Sequence, residues 1–362
     1  MEAFSSSPDE PYSPGDFLRA MARYEADTIA NAALQCQVAC RPGRAELTGS
    51  PAIRDYREDI GNHFRHLAEA VAADCPILFT TYVAWVRSFR AHRNVPPEYM
   101  KIELECLQKV LLSQLPAAMR DTVNRCIDMG LETAREAEPP FPSYLEVDAP
   151  LRNLARRYLG LLLDGNLPVA MDEILAEAGA GTPVEDLYLQ VFQTALYEVG
   201  RLWQLNRISS AEEHYALEGT RLIMSLLYPR LIATAKTRGH LAAMTVSEEL
   251  HELGARMVAD LFQLAGWDAG LFGPNLPTHA VAHAVKARQA DVLAISVTMT
   301  DHLPAVEEVI AAVRADAATR HVKILVGGLP FCLVPDLWQH VGADGFAPDA
   351  RQAVAVAERL LA

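Results

Sequence analysis

No run in this chain is apolar for long enough to cross a bilayer. Half of its residues are hydrophobic, yet charges break every stretch well short of membrane-spanning length. Basic clusters are missing too. Against 46 acidic residues stand 32 lysines and arginines, a net charge of −14, which argues against a nucleic-acid surface because phosphate contact needs clustered cations. The opening Met1 to Asp16 has neither the basic nor the apolar region of a signal peptide. It is rich in Ser, Pro and acid, so residues 1–15 are expected to form a flexible arm. Cysteine is sparse: Cys36, Cys40, Cys75, Cys106, Cys126 and Cys332 are scattered, mostly within helical patterns. A chain without an export signal keeps them reduced. These absences lead to the expectation of a cytoplasmic protein, with room in 362 residues for two or three domains.

What is present divides by pattern. From Asp16 to about Ala137 the periodicity is helical and strand signals are absent. Phe17, Met21, Tyr24 and Thr28 share a face of a first helix, and Ile53, Tyr56, Ile60, Phe64, Leu67 and Val71 mark a second. Pro76, the pair Pro96 and Pro97, and Pro116 open three more. A loop is expected from Arg41 to Pro51 and a linker from Glu136 to Pro142. Residues 16–145 therefore read as a helical domain, and 146–238 as a four-helix bundle, whose last helix starts at the capping-box pattern Ser210-x-x-Glu213. From residue 239 to 362 strand and helix alternate. Strands are expected at Ala242–Val246, Trp267–Phe272, Val292–Val297, Lys323–Val326 and Asp344–Phe346. Helical connections between them demand a parallel, doubly wound, flavodoxin-like sheet.

Thr245 to Gly254 is the stretch around which the rest is organised. Here the first strand hands over to a helix carrying Val258, Leu261 and Leu264, at the sheet edge where such folds place ligands. His251 stands in that turn, with Glu249 two residues before it and Gly254 three after. A carboxylate behind a histidine fixes its tautomer and raises its basicity, which suits a metal ligand. A lone histidine in such a turn is more often structural. The spacing Glu249-x-His251-x-x-Gly254, followed by Ser296-Val-Thr298 and Gly327-Gly328, resembles the Asp-x-His-x-x-Gly signature of cobalamin-binding domains. That resemblance implies that His251 is the lower axial ligand of cobalt and that the small residues line the slot for the displaced nucleotide tail. Glu249 departs from the usual Asp.

A second constellation is Trp203-x9-Glu213-His214, across the turn between the third and fourth bundle helices. Packing, capping and a solvated histidine are the plain readings. The pattern also resembles the Trp-x9-Glu-His motif of B12-dependent photoreceptors, which implies that Trp203 and Glu213 cap the adenosyl group of adenosylcobalamin with His214 beside them. Gln204 stands where those photoreceptors carry a histidine after the tryptophan, so the upper ligand after photolysis is expected to differ. The order of helical module, bundle and cobalamin domain resembles the photocobilins, a subgroup that also holds biliverdin, with a globin-like first domain. Candidate bilin contacts are His63, Arg65, His66, Tyr82, Trp85, Arg87 and Arg90, with Cys75 or Cys106 as points of attachment that nothing in the spacing requires.

The resemblance implies a photoreceptor rather than an enzyme. Light would break the cobalt–carbon bond and shift the domain arrangement or the oligomeric state. The signal would pass through a homo-oligomer or a separate effector, since no effector domain is recognisable in the chain. Two alternatives stay open: a corrinoid protein that carries methyl groups in a methyltransferase system, and a cofactor-free signalling module.

Overall fold

The structure, a computed structural model, describes residues 13–40, 51–136, 141–232, 235, 236 and 238–362. Residues 1–12 of the expected arm, nearly all of the 41–51 loop and 137–140 of the linker lie outside them, as do the side chains of Tyr24, Ile53 and Tyr56. The chain divides into two units, Met1–Glu138 and Pro139–Ala362.

The first unit is helical throughout its described residues. Its helices are α1 (Pro14–Tyr24), α2 (Ala26–Cys40), α3 (Pro51–Ala72), α4 (Pro76–Ala91), α5 (Glu98–Gln114) and α6 (Ala117–Arg135). Pro14 and Gly15, expected in the arm, already belong to α1, because the Ser13 side chain caps it by accepting from the Asp16 N–H. The expected first helix, Phe17 through Thr28, is broken: at Glu25 the backbone leaves helical geometry, and its N–H closes α1 onto the Met21 carbonyl. Pro76 stands at the start of α4 as expected. Ile60, Phe64 and Leu67 of α3 lie in the core with Phe79 and Val83 of α4 and Leu104 and Leu107 of α5, all fully buried.

The second unit opens with the bundle: α7 (Arg152–Leu163), α8 (Leu167–Gly179), α9 (Val184–Asp186), α10 (Gln193–Gln204) and α11 (Ser210–Leu231). A π-helical turn, Leu187–Phe192, joins α9 to α10 without a break. Tyr158, Ile174, Phe192, Ile223 and Leu227 fill the interior, and the same cluster takes in Leu253, Met257 and Leu261 of α12 (Leu253–Leu264). The bundle and the first helix of the sheet domain thus share one core.

Strands β1 (His240–Thr245), β2 (Asp268–Leu271), β3 (Val292–Ser296), β4 (Lys323–Gly327) and β5 (Gly345–Phe346) lie in the order β2-β1-β3-β4-β5, all parallel. After α12 the remaining helices are α13 (Thr278–Ala287), α14 (Leu303–Ala315), α15 (Leu329–Leu333), α16 (Leu337–His340) and α17 (Ala350–Leu361). Strands covered on both faces read as near-continuous apolar runs, and β1 is buried from Leu241 to Thr245. The architecture is a helical first unit, a helical bundle and a flavodoxin-like sheet, the multi-domain α and α/β class expected. Its topological switch, where a ligand crevice forms, lies between β1 and β3.

Candidate functional site

The loops leaving β1 and β3 meet at that switch. After β1 the chain turns sharply: Glu248 adopts φ +66°, its N–H donating to Asn275 Oδ1 at 2.8 Å. Thr245 Oγ1 donates to the Glu249 carbonyl at 3.2 Å. This turn sends the Glu249 side chain fully inside and leaves that of His251 58 % exposed.

Glu249 is an acceptor hub. Its Oε1 accepts the His251 N–H at 3.1 Å and a close contact from His251 Nδ1. Its Oε2 accepts the N–H groups of Thr298 at 2.7 Å and Met299 at 3.1 Å, and His302 Nδ1 at 3.2 Å. Burial by itself raises the pKa of this carboxyl, but the bonds from His251, His302 and Thr298 outweigh it and hold the group far below the usual carboxylate range. An ionised Glu249 has no proton to give, so both histidines place their proton on Nδ1. The His251 lone pair then sits on Nε2 of an exposed ring. Burial lowers the pKa of His302, but its bond to Glu249 and the charge of Asp301 raise it overall. Among the described residues no group of three or more His, Cys, Asp or Glu could hold a metal ion. A metal taken by His251 would therefore have to bring most of its own ligands.

Below this corner a cleft runs between sheet and bundle. Parallel register sets Ala243 beside Ala294 and Ala294 beside Leu325, and one step further up, Ser296 beside Gly327. Alternation puts these residues on one face, and all five line the cleft with Gly254 and Gly328. Gly328 has φ +108°, and a Cβ there would sit 1.8 Å from the Val297 carbonyl oxygen, so the corner after β4 requires glycine. At Gly254 a Cβ would meet nothing nearer than Ser296 Oγ at 3.5 Å. The bundle wall is made by Leu189, Gln193 and Tyr197, the first of them in the π-helical turn, a feature common at functional sites.

The structure thus brings Glu249, His251, Gly254, Ser296, Thr298, Gly327 and Gly328 to one sheet edge. The longer arm of Glu249 reaches the His251 ring. His302 and the Met299 amide were missed: they come from the loop after β3, and no local spacing announces them.

At the bundle end, Trp203 Nε1 donates to Ser210 Oγ at 3.1 Å, half-buried against the bundle core. The capping box lies one residue earlier than expected. Ser209 accepts from the Glu212 N–H, and Glu212 Oε2 accepts the Ser209 N–H at 2.7 Å. Glu213 is thereby left out of the cap, half-buried, with His214 exposed next to it.

In the first unit, His63, Tyr82 and Arg90 join one buried network. His63 bonds Tyr82 Oη at 2.8 Å and Glu103 Oε2 at 3.2 Å, and Arg90 donates to the same Glu103 oxygen at 2.6 Å. His66 stacks on Tyr82 at 3.7 Å between ring centroids. Of the others, Arg65 donates to Asn62 Oδ1 at 2.5 Å, Arg87 to backbone carbonyls of Thr133 and Glu136, and Trp85 stacks on Phe89. Cys75 is half-buried and Cys106 buried, and neither is in a disulfide.

Fold and site together define a doubly wound sheet whose carboxyl edge opens into a cleft beneath a helical bundle, the place where such folds hold ligands. Residues 239–357 match a B12 binding domain model, and residues 154–228 match a second model of the same description. The dimethylamine corrinoid protein 1 of Methanosarcina acetivorans is 30% identical over 168 residues, 46% of this chain and 76% of that one. The dimethylamine corrinoid protein 3 of the same organism is 28% identical over 191 residues, 52% and 88% of the two chains. The monomethylamine corrinoid protein of Methanosarcina barkeri shares the fold at 19% identity with a TM-score of 0.52, covering 58% of this chain and 99% of that one. This chain belongs to the B12-binding corrinoid protein family.

The residues fit such a group: an exposed imidazole with Nε2 unspent, and a slot walled by Ala, Gly and Ser. The light-sensing expectation is corrected by these relatives, which are corrinoid proteins named for methylated amines. Adenosylcobalamin photolysis, biliverdin as a second chromophore, the light-dependent oligomer and the separate effector all rested on that expectation and are withdrawn with it. The physical signal behind it was ambiguous, since the Trp203 indole N–H serves the helix turn through Ser210. No helix among the described residues is long and apolar enough to cross a membrane.

Proposed function

We propose that this protein is the corrinoid component of a methyl-transfer system, holding cobalamin with His251 as lower axial ligand. When bound, the corrinoid supplies a cobalt centre that accepts a methyl group and passes it on. The chain's own residues hold and shield that centre. His251 offers Nε2, while Glu249 keeps the proton on Nδ1 and so fixes both tautomer and ring direction. Gly254, Ser296, Gly327 and Gly328 line the cleft and would leave room there for the nucleotide tail, with Thr298 next to them bonded to Glu249 through its N–H. The bundle wall of the cleft, Leu189, Gln193 and Tyr197, would keep water from that centre, and we place Trp203, Glu213 and His214 of the bundle end over the cofactor's other side as a proposal. Methyl donor and acceptor are handled by separate methyltransferases, with methylated amines as the substrate class that the relatives' names point to.

The observation that carries this reading is family membership joined to a solvent-facing imidazole whose other nitrogen is tied to a buried carboxylate. It is tested by loading the protein with reduced cobalamin and adding isotopically labelled mono-, di- or trimethylamine with the matching amine methyltransferase. Label should appear on the corrin, with the absorbance of methylcobalamin. Failure to take up label from all three amines would contradict the proposed substrate class.

A further inference from the structure

Cys75 and Cys126 belong to the first unit, outside the residues that match the B12 binding models. Their placement follows from how α4 packs on α6. At Gly130 an added Cβ would lie 2.5 Å from Phe79 Cε1, so the two helices approach closely there. Before that point Arg125 Nη2 pairs with Asp74 at 3.9 Å, and beyond it Arg87 donates to the carbonyls of Thr133 and Glu136. Contacts advance along both helices together, so α4 and α6 run parallel. Phe79 with Gly130 and Asp74 with Arg125 share one offset of 51 positions (130 − 79 and 125 − 74). Cys75 and Cys126 have the same offset, one helical turn before the close contact.

The turn between α3 and α4 fixes Cys75 in place. Asp74 adopts φ +46°, and the Cys75 N–H closes α3 onto the Ala70 carbonyl at 2.8 Å. Cys75 is then the N-cap residue of α4 and half-buried, while Cys126 lies in the core. A charge on one thiol is felt at the other. Burial pushes the Cys126 thiol up to about 12, with Arg125 opposing the rise and Cys75 adding to it. Burial also raises Cys75, against the pull of the Ile77 and Leu78 N–H groups at the start of α4. The thiolate is the nucleophile, so two such thiols react slowly and stay reduced where oxidant is scarce.

We propose that Cys75 and Cys126 are a reversible redox pair that a hydroperoxide converts to a disulfide, stapling the α3–α4 turn to α6. Cys75 is the more exposed and meets the oxidant first. Its sulfur attacks the peroxide, the O–O bond breaks, and the thiol proton leaves with the departing oxygen as water or an alcohol. Cys75 is then a sulfenic acid. The Cys126 sulfur attacks the Cys75 sulfur, the S–S bond forms, and the hydroxyl leaves as water with the Cys126 proton. Two thiols give up two electrons and the peroxide takes them. The crosslink restricts the unfolded chain, so the oxidised unit gains stability.

The test treats the full chain with hydrogen peroxide, alkylates the remaining thiols under denaturing conditions and maps the peptides by mass spectrometry. Two of the six cysteine thiols should disappear, as a peptide pair joined through Cys75 and Cys126, and dithiothreitol should restore both. In Cys126→Ala, with no second thiol to resolve it, Cys75 should run on to sulfinic acid. In Cys75→Ser, Cys126 should stay reduced. Oxidised wild type should melt at a higher temperature than reduced, a difference absent from both variants. A disulfide joining other cysteines, sulfinic acid at Cys75 of the wild type with Cys126 still a thiol, or both thiols recovered intact would each overturn the proposal.

Discussion

Gly254 separates the needs of the fold from those of the ligand. It sits in the first turn of α12, and the nearest atom to an added Cβ is Ser296 Oγ at an ordinary 3.5 Å. Alanine is the better helix former by about 0.5–1 kcal/mol. Gly254→Ala should therefore leave the ligand-free protein as stable or slightly more so, while its methyl group intrudes on the cleft. A loss of cobalamin affinity of about tenfold is expected, from the ~1–3 kcal/mol that overpacking costs. Thermal melts without cofactor and a spectroscopic titration with it check both halves. Equal affinity in the two proteins would show that the cleft at Gly254 is not the slot. His302, by contrast, was not legible in the sequence, because it meets Glu249 across 53 positions of chain. Only the parallel pairing of β1 with β3 brings them together.

At the scale of elements, the five strands lie within about two residues of where alternation and apolar runs place them, since a buried parallel strand has a strong local signature. Termini of helices were less legible. The doublets Ser209-Ser210 and Glu212-Glu213 both satisfy the capping-box spacing, and backbone geometry selects the first pair. The break at Glu25 and the π-helical turn have no compositional marker. That turn carries Tyr188, whose hydroxyl donates to Asp260 of α12 at 2.8 Å and ties bundle to sheet domain. Burial raises the Asp260 carboxyl to about 6, against opposing effects from the Tyr188 bond and the Arg256 charge. With the folded-state value above the unfolded one, the folded chain retains a proton that the unfolded chain has released. Stability from this site is therefore greatest at low pH, falls as pH rises from the ordinary aspartate range through about 6, and stays low above that. Asp260→Asn removes the buried charge and keeps an acceptor for Tyr188. It should stabilise the protein at neutral pH by about 1–3 kcal/mol, with the gain shrinking on acidification. Denaturant titrations across that range check the slope, and a variant less stable at every pH would contradict it.

At the scale of the whole molecule, the family match falls on the second unit, which contains the cleft, His251 and the Glu249 hub. The first unit has its own core and its own buried network around Glu103. Sequence reading recognised the cobalamin signature because the Glu-x-His-x-x-Gly spacing and its downstream glycines encode a local strand-to-helix corner. It misjudged the activity because Trp203, Glu213 and His214 are as easily a bundle end as a cap for one cofactor form.

The central claim is that His251 is bonded to cobalt. The most direct test is the electron paramagnetic resonance spectrum of the cob(II)alamin-loaded protein, prepared once with ordinary histidine and once with nitrogen-15 histidine. The account predicts that the triplet splitting from the axial nitrogen becomes a doublet on labelling and disappears in His251→Ala. A triplet unchanged by labelled histidine would place the cofactor's own base on the metal and contradict it.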